Sequence, residues 1–477
     1  MGGWVLYPAA AFFKTSSGEP LRRLLRQQCR IKALVDFGDW QVFEGVTTYP
    51  AVVVVQVADV QDSEVALGTS EQSAHFLQLT APVPDLIAHF SDNKQTLDLA
   101  QLGAADATAA PEWQLEGAEA SALRERLTTG HPTLKHAVGS PYRGVLTGLN
   151  EAFVIDRATR DRLVYADIAS EPLFKPFLEG KDIKRWQVES EDRWLILLPK
   201  GWTRATFTVA DSENDAWAAL QKRHPHLAAW LAPFADAARK RTDQGDYWWE
   251  LRACGYYDKF EAAKIYYPDI CGASSFFFDQ AGAYSGNTTY FLPAGEQWLV
   301  ALLNSKTTWF LIGGLSTHIR GGYLRMFTQH IQTLPIPNAS PAQQAELSTL
   351  AQAAQQTASQ RLKEQRDFGR RILDLLPNFP NKPPPKGAQT LLGDKLSAWW
   401  LLADFKAFSL EVSKRFKTDI PLRERNDWEQ LFNQGRTQVQ QLSANLAAVE
   451  RSIDDAVYRL FGLSAAEIAL IERSVKS

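Results

Sequence analysis

The chain has little of what marks several protein classes. Its 477 residues include three cysteines, Cys29, Cys254 and Cys271, too few and too scattered for a disulfide framework or a four-ligand zinc site. No apolar run reaches the roughly 18 residues that a membrane-spanning helix needs. The first residues have neither the charged region nor the cleavage site of a signal peptide. We therefore expect a cytoplasmic protein with free thiols, no membrane partner and no metal site.

Common catalytic signatures are also missing. The sequence has no glycine-rich phosphate loop, no HExxH zinc motif and no GxSxG nucleophile elbow. One acidic pattern is compatible with a Mg²⁺-dependent nuclease, because Asp167 precedes the tripeptide Glu179, Gly180, Lys181. Such a match arises easily by chance among 54 acidic and 51 basic residues. A nuclease therefore stays an alternative.

The overall charge limits how nucleic acid could be bound. The chain is 45% hydrophobic and 22% charged, an ordinary globular composition with enough apolar residues for two or three cores. Its formal net charge is -3, so the whole molecule is not a basic body that attracts nucleic acid in bulk. Any nucleic-acid site must be local.

The order of patterns predicts an α+β multidomain protein. Residues 4–8, 31–37 and 51–57 read as strands, and leucines at helical spacing predict a helix over 19–28. The valine run 51–57 suits a strand covered on both faces, as at the edge of an α/β sheet. We read residues 59–119 as strands and a linker.

The rest of the chain divides into a β-rich part and a helical part. From about residue 137 to 337, short strands alternate with Gly, Pro and Asn. Beyond 337 the sequence becomes Ala-, Gln- and Leu-rich and predicts helices, interrupted by a proline-rich connector at 377–385. One apolar stripe at spacings of three and four indicates helix packing; its members are Val439, Leu442, Leu446, Val449, Ile453, Val457 and Leu460.

Two segments combine aromatic and basic residues in a way that could contact DNA. Residues 256–267 interleave tyrosines with Lys259 and Lys264, and residues 318–325 place His318, Arg320 and Arg325 around two glycines. Such side chains reach phosphates and base edges. The alternative is that the aromatics pack a β-rich core and the charges form its solvated rim.

Taken in order, several stretches resemble the C-terminal half of γ-type adenine-N6 DNA methyltransferases. The similar families are type IIG restriction-modification and related phage-defence enzymes with a TaqI-like specificity domain. The resemblance touches nearly the whole chain, and only residues 59–119 match loosely. The stretches that carry it are 2–22, 35–56, 144–155, 178–186, 301–306, 334–337 and 453–463.

The resemblance implies a catalytic half that this sequence does not contain. In that family S-adenosylmethionine binds an N-terminal glycine-containing motif, and an (N/D)-P-P-(Y/F) tetrapeptide holds the target adenine; neither motif occurs here. We expect a chain that begins after the catalytic centre, as a truncated product, a split-gene subunit or a fragment, and that is inactive alone. Phe43 matches the position of the phenylalanine that stacks on the flipped adenine. Its alternative is a core phenylalanine at a strand end.

The resulting hypothesis is the DNA sequence-recognition half of a site-specific adenine methyltransferase, with double-stranded DNA and a methyltransferase half as partners. Residues 1–130 would be the C-terminal remnant of a Rossmann-like methyltransferase domain, 131–338 the target-recognition domain and 339–477 a helical module. The alternative is a non-catalytic specificity or interaction subunit that docks on a partner methyltransferase, in part through the apolar stripe. Predicted DNA-binding residues are Thr147, Asn150, Lys181, Lys184, Arg185, Tyr257, Lys259, Lys264, His318, Arg320, Tyr323 and Arg325.

Overall fold

The structure is a computed structural model that combines several small sheets with many helices. This confirms the predicted α+β class, including the helical C-terminal part. In the described part of the chain, no helix has both the length and the apolar content for crossing a membrane. The described residues are 3–6, 10–13, 15–38, 42, 50–57, 73–79, 82–102, 113, 115–207, 212–293, 296–316, 318–319, 322–374 and 389–475.

The first part of the chain forms a five-stranded mixed sheet of order β1-β3-β2-β4-β5. The pair β2 and β4 is parallel, and the other neighbours are antiparallel. The predicted order of strand, helix, strand, strand is present. The elements are β1 (Gly3–Leu6), α1 (Glu19–Gln28), β2 (Cys29–Asp36), β3 (Ala51–Val57), β4 (Ser73–Gln78), α2 (Leu86–Asn93) and β5 (Gln95–Asp98).

The valine strand β3 has apolar neighbours on both of its faces. Val53 and Val55 are buried in one cluster with Leu97. Val52, on the opposite face, packs against a second cluster that contains Val35. A strand covered on both sides can be apolar throughout, which accounts for the unbroken run in the sequence.

The middle of the chain forms three small sheets and a hairpin. Their orders are β15-β8-β11-β7, β14-β12-β16-β6, β13-β18-β17 and β10-β9. The strands are β6 (Tyr142–Arg143), β7 (Val154–Asp156), β8 (Phe174–Leu178), β9 (Ile183–Lys184), β10 (Gln187–Val188), β11 (Arg193–Ile196), β12 (Lys264–Pro268), β13 (Ile270–Cys271), β14 (Phe277–Asp279), β15 (Tyr284–Ser285), β16 (Thr289–Pro293), β17 (His318–Ile319) and β18 (Tyr323–Arg325).

This middle part contains more helix than the sequence pattern indicated. One helix begins at the N-cap Ser212, whose side chain accepts from the backbone of Asp215, and it buries Ala216 and Leu220. The helices up to this part's end are α3 (Ala118–Thr128), α4 (Leu134–Val138), α5 (Asn150–Phe153), α6 (Arg157–Ala166), α7 (Trp202–Thr206), α8 (Glu213–Arg223), α9 (Pro225–Leu231), α10 (Ala235–Arg239), α11 (Gln297–Asn304), α12 (Lys306–Leu315) and α13 (Thr328–Ile331).

Two long helices dominate the C-terminal part. Small buried residues, among them Ala351, Ala354 and Ala358, line one side of α14 at helical spacing and let α17 approach closely. The predicted stripe lies on α17, and Val439, Ile453 and Val457 have no exposed surface. The helices are α14 (Pro341–Asp374), α15 (Gln389–Ser397, broken at Gly393), α16 (Phe405–Phe416), α17 (Arg425–Leu460) and α18 (Ala465–Ser474).

One apolar core joins the middle and C-terminal parts. Trp186, Tyr267 and Leu303 from the middle part share it with Ala354 and Val457 from the two long helices. The α17 stripe therefore packs inside this chain, which corrects the suggestion that it forms a docking contact for a partner. The domain limits near 130 and 338 remain predictions, and the apolar core itself extends across residue 338.

Truncation of the stripe should destabilise the fold. Ile453 has no exposed surface, so Ile453→Ala leaves a cavity and should lower the free energy of unfolding by about 2–5 kcal/mol. The control is Leu422→Ala, because Leu422 is 84% exposed and its truncation should change stability by less than about 0.5 kcal/mol. Urea denaturation followed by tryptophan fluorescence measures both. Similar losses for the two variants would contradict the assigned packing.

Candidate nucleic-acid interface

Lys264, predicted to contact DNA, lies in the protein interior. It is on β12 with no exposed surface, and its ammonium donates to the Asp279 carboxylate and to the Phe260 carbonyl, each at 2.5 Å. Burial, partly offset by the charge of Asp279, lowers the pKa of Lys264. The structure therefore removes Lys264 from the candidate DNA surface, because its donors are occupied inside the fold.

Thr147 is also buried, and its side chain forms hydrogen bonds within the turn at 147–150. Its hydroxyl bonds to the side chain of Asn150 and accepts from the backbone of Leu149, while its carbonyl accepts from Arg241. Asn150 itself is exposed at the start of α5. Of this predicted pair, only Asn150 is open to solvent.

The three basic residues around the β9–β10 hairpin have different surroundings. Lys181 is exposed and lies 3.4 Å from carboxylate oxygens of Glu179 and Glu191. Lys184 is exposed, and no described residue forms an ion pair with it. Arg185 faces the C-terminal helices, since its Nε lies 3.1 Å from Glu450 of α17. Arg185 is therefore engaged within the chain, while 30% of its side chain stays exposed.

The small sheet β13-β18-β17 presents two predicted residues to solvent. Tyr323 and Arg325 alternate on β18 with the buried Leu324, so both lie on its outer face. The Tyr323 ring covers Gly272, at ordinary van der Waals distance from where a Cβ would stand. His318 pairs with Leu324 through the backbone of β17. The His318 side chain and all of Arg320 lie outside the described residues.

The carboxyl of Asp269 is influenced by the charges of two arginines, Arg325 and Arg143. Asp269 follows β12, and its carbonyl accepts from the backbone of Met326 at 2.9 Å. Burial raises the pKa of the Asp269 carboxyl, and the charges of Arg325 and Arg143 oppose that rise. Both guanidinium groups are therefore close enough to interact electrostatically with one carboxyl. Arg143, exposed on β6, was not among the predicted residues.

Aromatic rings extend this surface from Arg143 towards Lys259. The rings of Tyr142 and Tyr256 have centroids 4.6 Å apart, and the Tyr256 hydroxyl donates to the Arg143 carbonyl at 3.1 Å. The Lys259 ammonium lies 5.8 Å from the Tyr142 ring centroid. Burial raises the pKa of Tyr256 to about 12, so its hydroxyl stays protonated at neutral pH and can donate.

Tyr257 is half-buried next to this surface. Its hydroxyl donates to the Arg252 carbonyl at 3.1 Å, and its own carbonyl accepts from Tyr284. Burial raises the pKa of Tyr257 above its ordinary value. Its hydroxyl therefore already has a partner within the chain.

We call these residues together the basic-aromatic face. Sequence reasoning named its lysine, one tyrosine and one arginine as DNA-binding residues, and it placed Tyr256 in a segment that could contact DNA. It missed Tyr142 and Arg143. The missed dipeptide at 142–143 borders the stretch at 144–155 that carried the family resemblance, which was the available signal. The face consists of Tyr142, Arg143, Tyr256, Lys259, Tyr323 and Arg325.

Two other predictions concerned a stacking phenylalanine and a nuclease site. Phe43, the predicted stacking residue, lies outside the described residues. The acidic residues of the nuclease alternative have structural partners: Asp167 lies 2.7 Å from His224, and Glu179 forms a capping box with Asp182. Within the described ranges, no three His, Cys, Asp or Glu residues are grouped closely enough to hold a metal ion.

Comparison with protein families confirms the resemblance for the middle of the chain. Residues 175–336 match the TaqI-like C-terminal specificity domain. Residues 340–457, which include most of α14 and α17, match a domain family of unknown function. The chain thus contains a TaqI-like specificity domain, and the basic-aromatic face contributes Tyr256, Lys259, Tyr323 and Arg325 from within it.

Curated relatives are type II methyltransferases. The chain is 24% identical over 334 residues to the Type II methyltransferase M.XhoI of Xanthomonas vasicola, covering 68% of this chain. It is 25% identical over 360 residues to the Type II methyltransferase M.PaeR7I of Pseudomonas aeruginosa, covering 72% of this chain. In both cases the match spans 57% of the relative's length.

Solved structures with some likeness include two restriction-modification enzymes. One is the Type IIL enzyme MmeI in complex with DNA, with 12% identity, a TM-score of 0.48, and coverage of 99% of this chain and 49% of that one. The other is the type IIG restriction endonuclease BpuSI, with 11% identity, a TM-score of 0.34, and coverage of 93% and 47%. At TM-scores below 0.5 these likenesses support no conclusion.

Removing the buried lysine should damage the fold, because it leaves the Asp279 carboxylate buried without its counter-charge. We expect Lys264→Ala to lower the free energy of unfolding by about 3–5 kcal/mol. Lys259→Ala is the matched control, and loss of its weak contact with Tyr142 should cost less than about 1 kcal/mol. Urea denaturation measures both. A Lys264→Ala variant as stable as Lys259→Ala would show that the lysine is not held in the interior.

Proposed function

We propose that this chain is the DNA sequence-recognition part of a site-specific DNA methyltransferase of a restriction-modification system. The observation that carries the proposal is the match of residues 175–336 to a TaqI-like specificity domain. The methyltransferase relatives support the reaction class to which this recognition would belong. Because its substrate would be cellular or incoming DNA, we place the protein in the cytoplasm.

The chemistry of the basic-aromatic face suits a duplex. Arginine forms paired hydrogen bonds with guanine in the major groove and also neutralises phosphates. The charges of Arg143 and Arg325 both act on one half-buried carboxyl, that of Asp269, so two cations face one acid in a molecule whose net charge is -3. Tyr323, 47% exposed, adds a flat surface with a polar end. We assign base reading and phosphate contact to this face.

The proposal extends to adenine-N6 methylation and to defence against phage, as the family resemblance implies. The methyl donor would be S-adenosylmethionine, but the sequence has no glycine-rich loop of the kind that would bind it. The residues present do not fit the cofactor, and we assign this chain recognition alone. A methyltransferase half, on the same or a partner polypeptide, would perform the transfer. Phe43 is proposed to stack on the flipped adenine there.

The second candidate is a non-catalytic specificity subunit that docks on a partner methyltransferase. It uses the same DNA face, so the two candidates differ in where the catalytic half resides. Affinity purification of the chain from its native cell separates them. Recovery of a separate polypeptide with the adenine tetrapeptide would favour the docking subunit.

Duplex binding should depend strongly on salt. Each phosphate neutralised by a lysine or arginine releases counterions and contributes a slope of about -0.9 to log K against log salt. Fluorescence anisotropy with a mixed-sequence duplex should therefore show affinity falling steeply between about 50 and 200 mM salt. Absence of duplex binding at the lower salt concentration, even with the methyltransferase half supplied, would refute the proposed function.

Substitution on the face should weaken binding without unfolding the protein. We expect Arg325→Ala or Arg143→Ala to cost about 1–3 kcal/mol of binding free energy for a base-contacting arginine. A purely phosphate-contacting arginine would instead reduce the salt slope by about 0.9. Arg423→Ala is the matched control, because Arg423 is 86% exposed on the C-terminal part and pairs with Glu424. Equal effects at Arg325 and Arg423 would remove the basic-aromatic face as the DNA site.

A further inference from the structure

The β9–β10 hairpin is held in an unusual backbone conformation by the C-terminal helices. Its register pairs Lys184 with Gln187, which leaves Arg185 and Trp186 as the loop. Trp186 has a φ of 68°, a left-handed conformation that bulky L residues rarely adopt. Its side chain is nevertheless fully buried, in the core shared with α17. The loop therefore depends on α17 for its shape.

A single carboxylate on α17 binds both loop residues. Oε1 of Glu450 accepts a hydrogen bond from the Trp186 indole Nε1 at 2.7 Å and lies 3.1 Å from the Arg185 Nε. The Glu450 side chain is 25% exposed. One turn further along α17, the buried Asp454 accepts from the backbone amide of Lys306 at 2.8 Å. Helix α17 therefore contacts the specificity domain through two neighbouring carboxylates, those of Glu450 and Asp454.

Arg185 connects Glu450 to the segment 274–276 through Asn304. Its guanidinium donates to the Asn304 carbonyl at 2.6 Å. The buried Asn304 side chain accepts from the Phe276 amide at 3.0 Å and donates to the Phe276 carbonyl at 2.8 Å. Ser274 donates to the carbonyl of Leu303 at 2.8 Å. The segment is therefore fixed at both of its ends by residues next to the arginine.

The fixed segment leads directly to the basic-aromatic face. Two residues before Ser274, Gly272 lies beneath the Tyr323 ring. The adjoining strand β13 pairs with β18, where Ile270 is opposite Arg325. A shift of the segment would move the strand and the glycine on which the exposed tyrosine rests. Base reading tolerates little displacement, because hydrogen bonds to base edges require defined distances and angles.

We propose that Glu450 is a positioning residue for DNA recognition, which sets the sequence preference of the basic-aromatic face through Arg185, Asn304, the segment 274–276 and Gly272. This role rests on the proposed function. Glu450 itself contacts no DNA in this scheme. Its loss should therefore reduce discrimination between sequences more than affinity for DNA in general, since phosphate contacts tolerate small shifts better than base contacts.

The test uses the full chain with Glu450→Ala and Glu450→Gln. Glutamine keeps the shape of the side chain and an acceptor for Trp186 but lacks the charge beside Arg185. The Glu450→Gln variant should therefore fold and keep part of the positioning effect. The matched control is Glu429→Ala, an exposed carboxylate on the same helix. The first measurement is hydrogen–deuterium exchange without DNA. Exchange across 270–276 and 322–326 should be about tenfold faster in Glu450→Ala, less accelerated in Glu450→Gln and unchanged in the control.

The second measurement is selection of bound duplexes from a pool with a randomised centre. Enrichment of preferred sequences should fall about tenfold in Glu450→Ala and about threefold in Glu450→Gln, while affinity for a mixed-sequence duplex at low salt stays within about twofold. If enrichment and exchange match the wild type in both variants, the role of Glu450 is overturned and the proposed function still stands. A wild-type chain that enriches no sequence would instead overturn the proposed function, and this role with it.

Discussion

The apolar core shared by the specificity domain and the two long C-terminal helices is the constraint on which the candidate DNA face depends. Burial of a large apolar side chain stabilises a fold by about 1.5–3 kcal/mol, whereas an exposed ion pair contributes about 0–1 kcal/mol. The core, with Trp186 and Val457 in contact with the same cluster, therefore supplies most of the energy that holds the parts together. The polar contacts of Glu450 and Asp454 fix the orientation of the residues that they bind, because a hydrogen bond requires a defined angle as well as a distance.

Local charge separates the face from the rest of the molecule. Many of the chain's basic groups lie next to carboxylates, as Arg193 does with Asp182 and Lys306 with Glu472. On the face, the charges of Arg143 and Arg325 both act on the carboxyl of Asp269, whose pKa is raised by burial. One half-buried acid cannot cancel the charges of two guanidinium groups. A nearly neutral protein can thereby present a small surface that attracts phosphate.

Sequence patterns identified side-chain positions that depend on residues nearby in the sequence. They missed contacts between residues that are distant in the sequence. The stripe on α17 and the outward positions of Tyr323 and Arg325 follow from periods of 3.6 and 2. Lys264 was misplaced because β12 is buried on both faces, so alternation carries no information there. The ion pair of Arg185 could not be foreseen, because its partner, Glu450, lies on a helix near the other end of the chain. Arg143 was missed for the same reason, since only folding brings its charge within reach of Asp269.

The conformation of Trp186 also argues that the physical unit of recognition is larger than the matched specificity domain. That match ends at residue 336, before either long helix begins. A left-handed backbone at a bulky residue costs about 1–3 kcal/mol, and only contacts elsewhere in the fold can offset it. Here the offset comes from burial of the indole in the shared core and from the hydrogen bond to Glu450. The hairpin, and the segment it anchors through Asn304, therefore take their shape from helices that lie outside the domain as sequence comparison defines it.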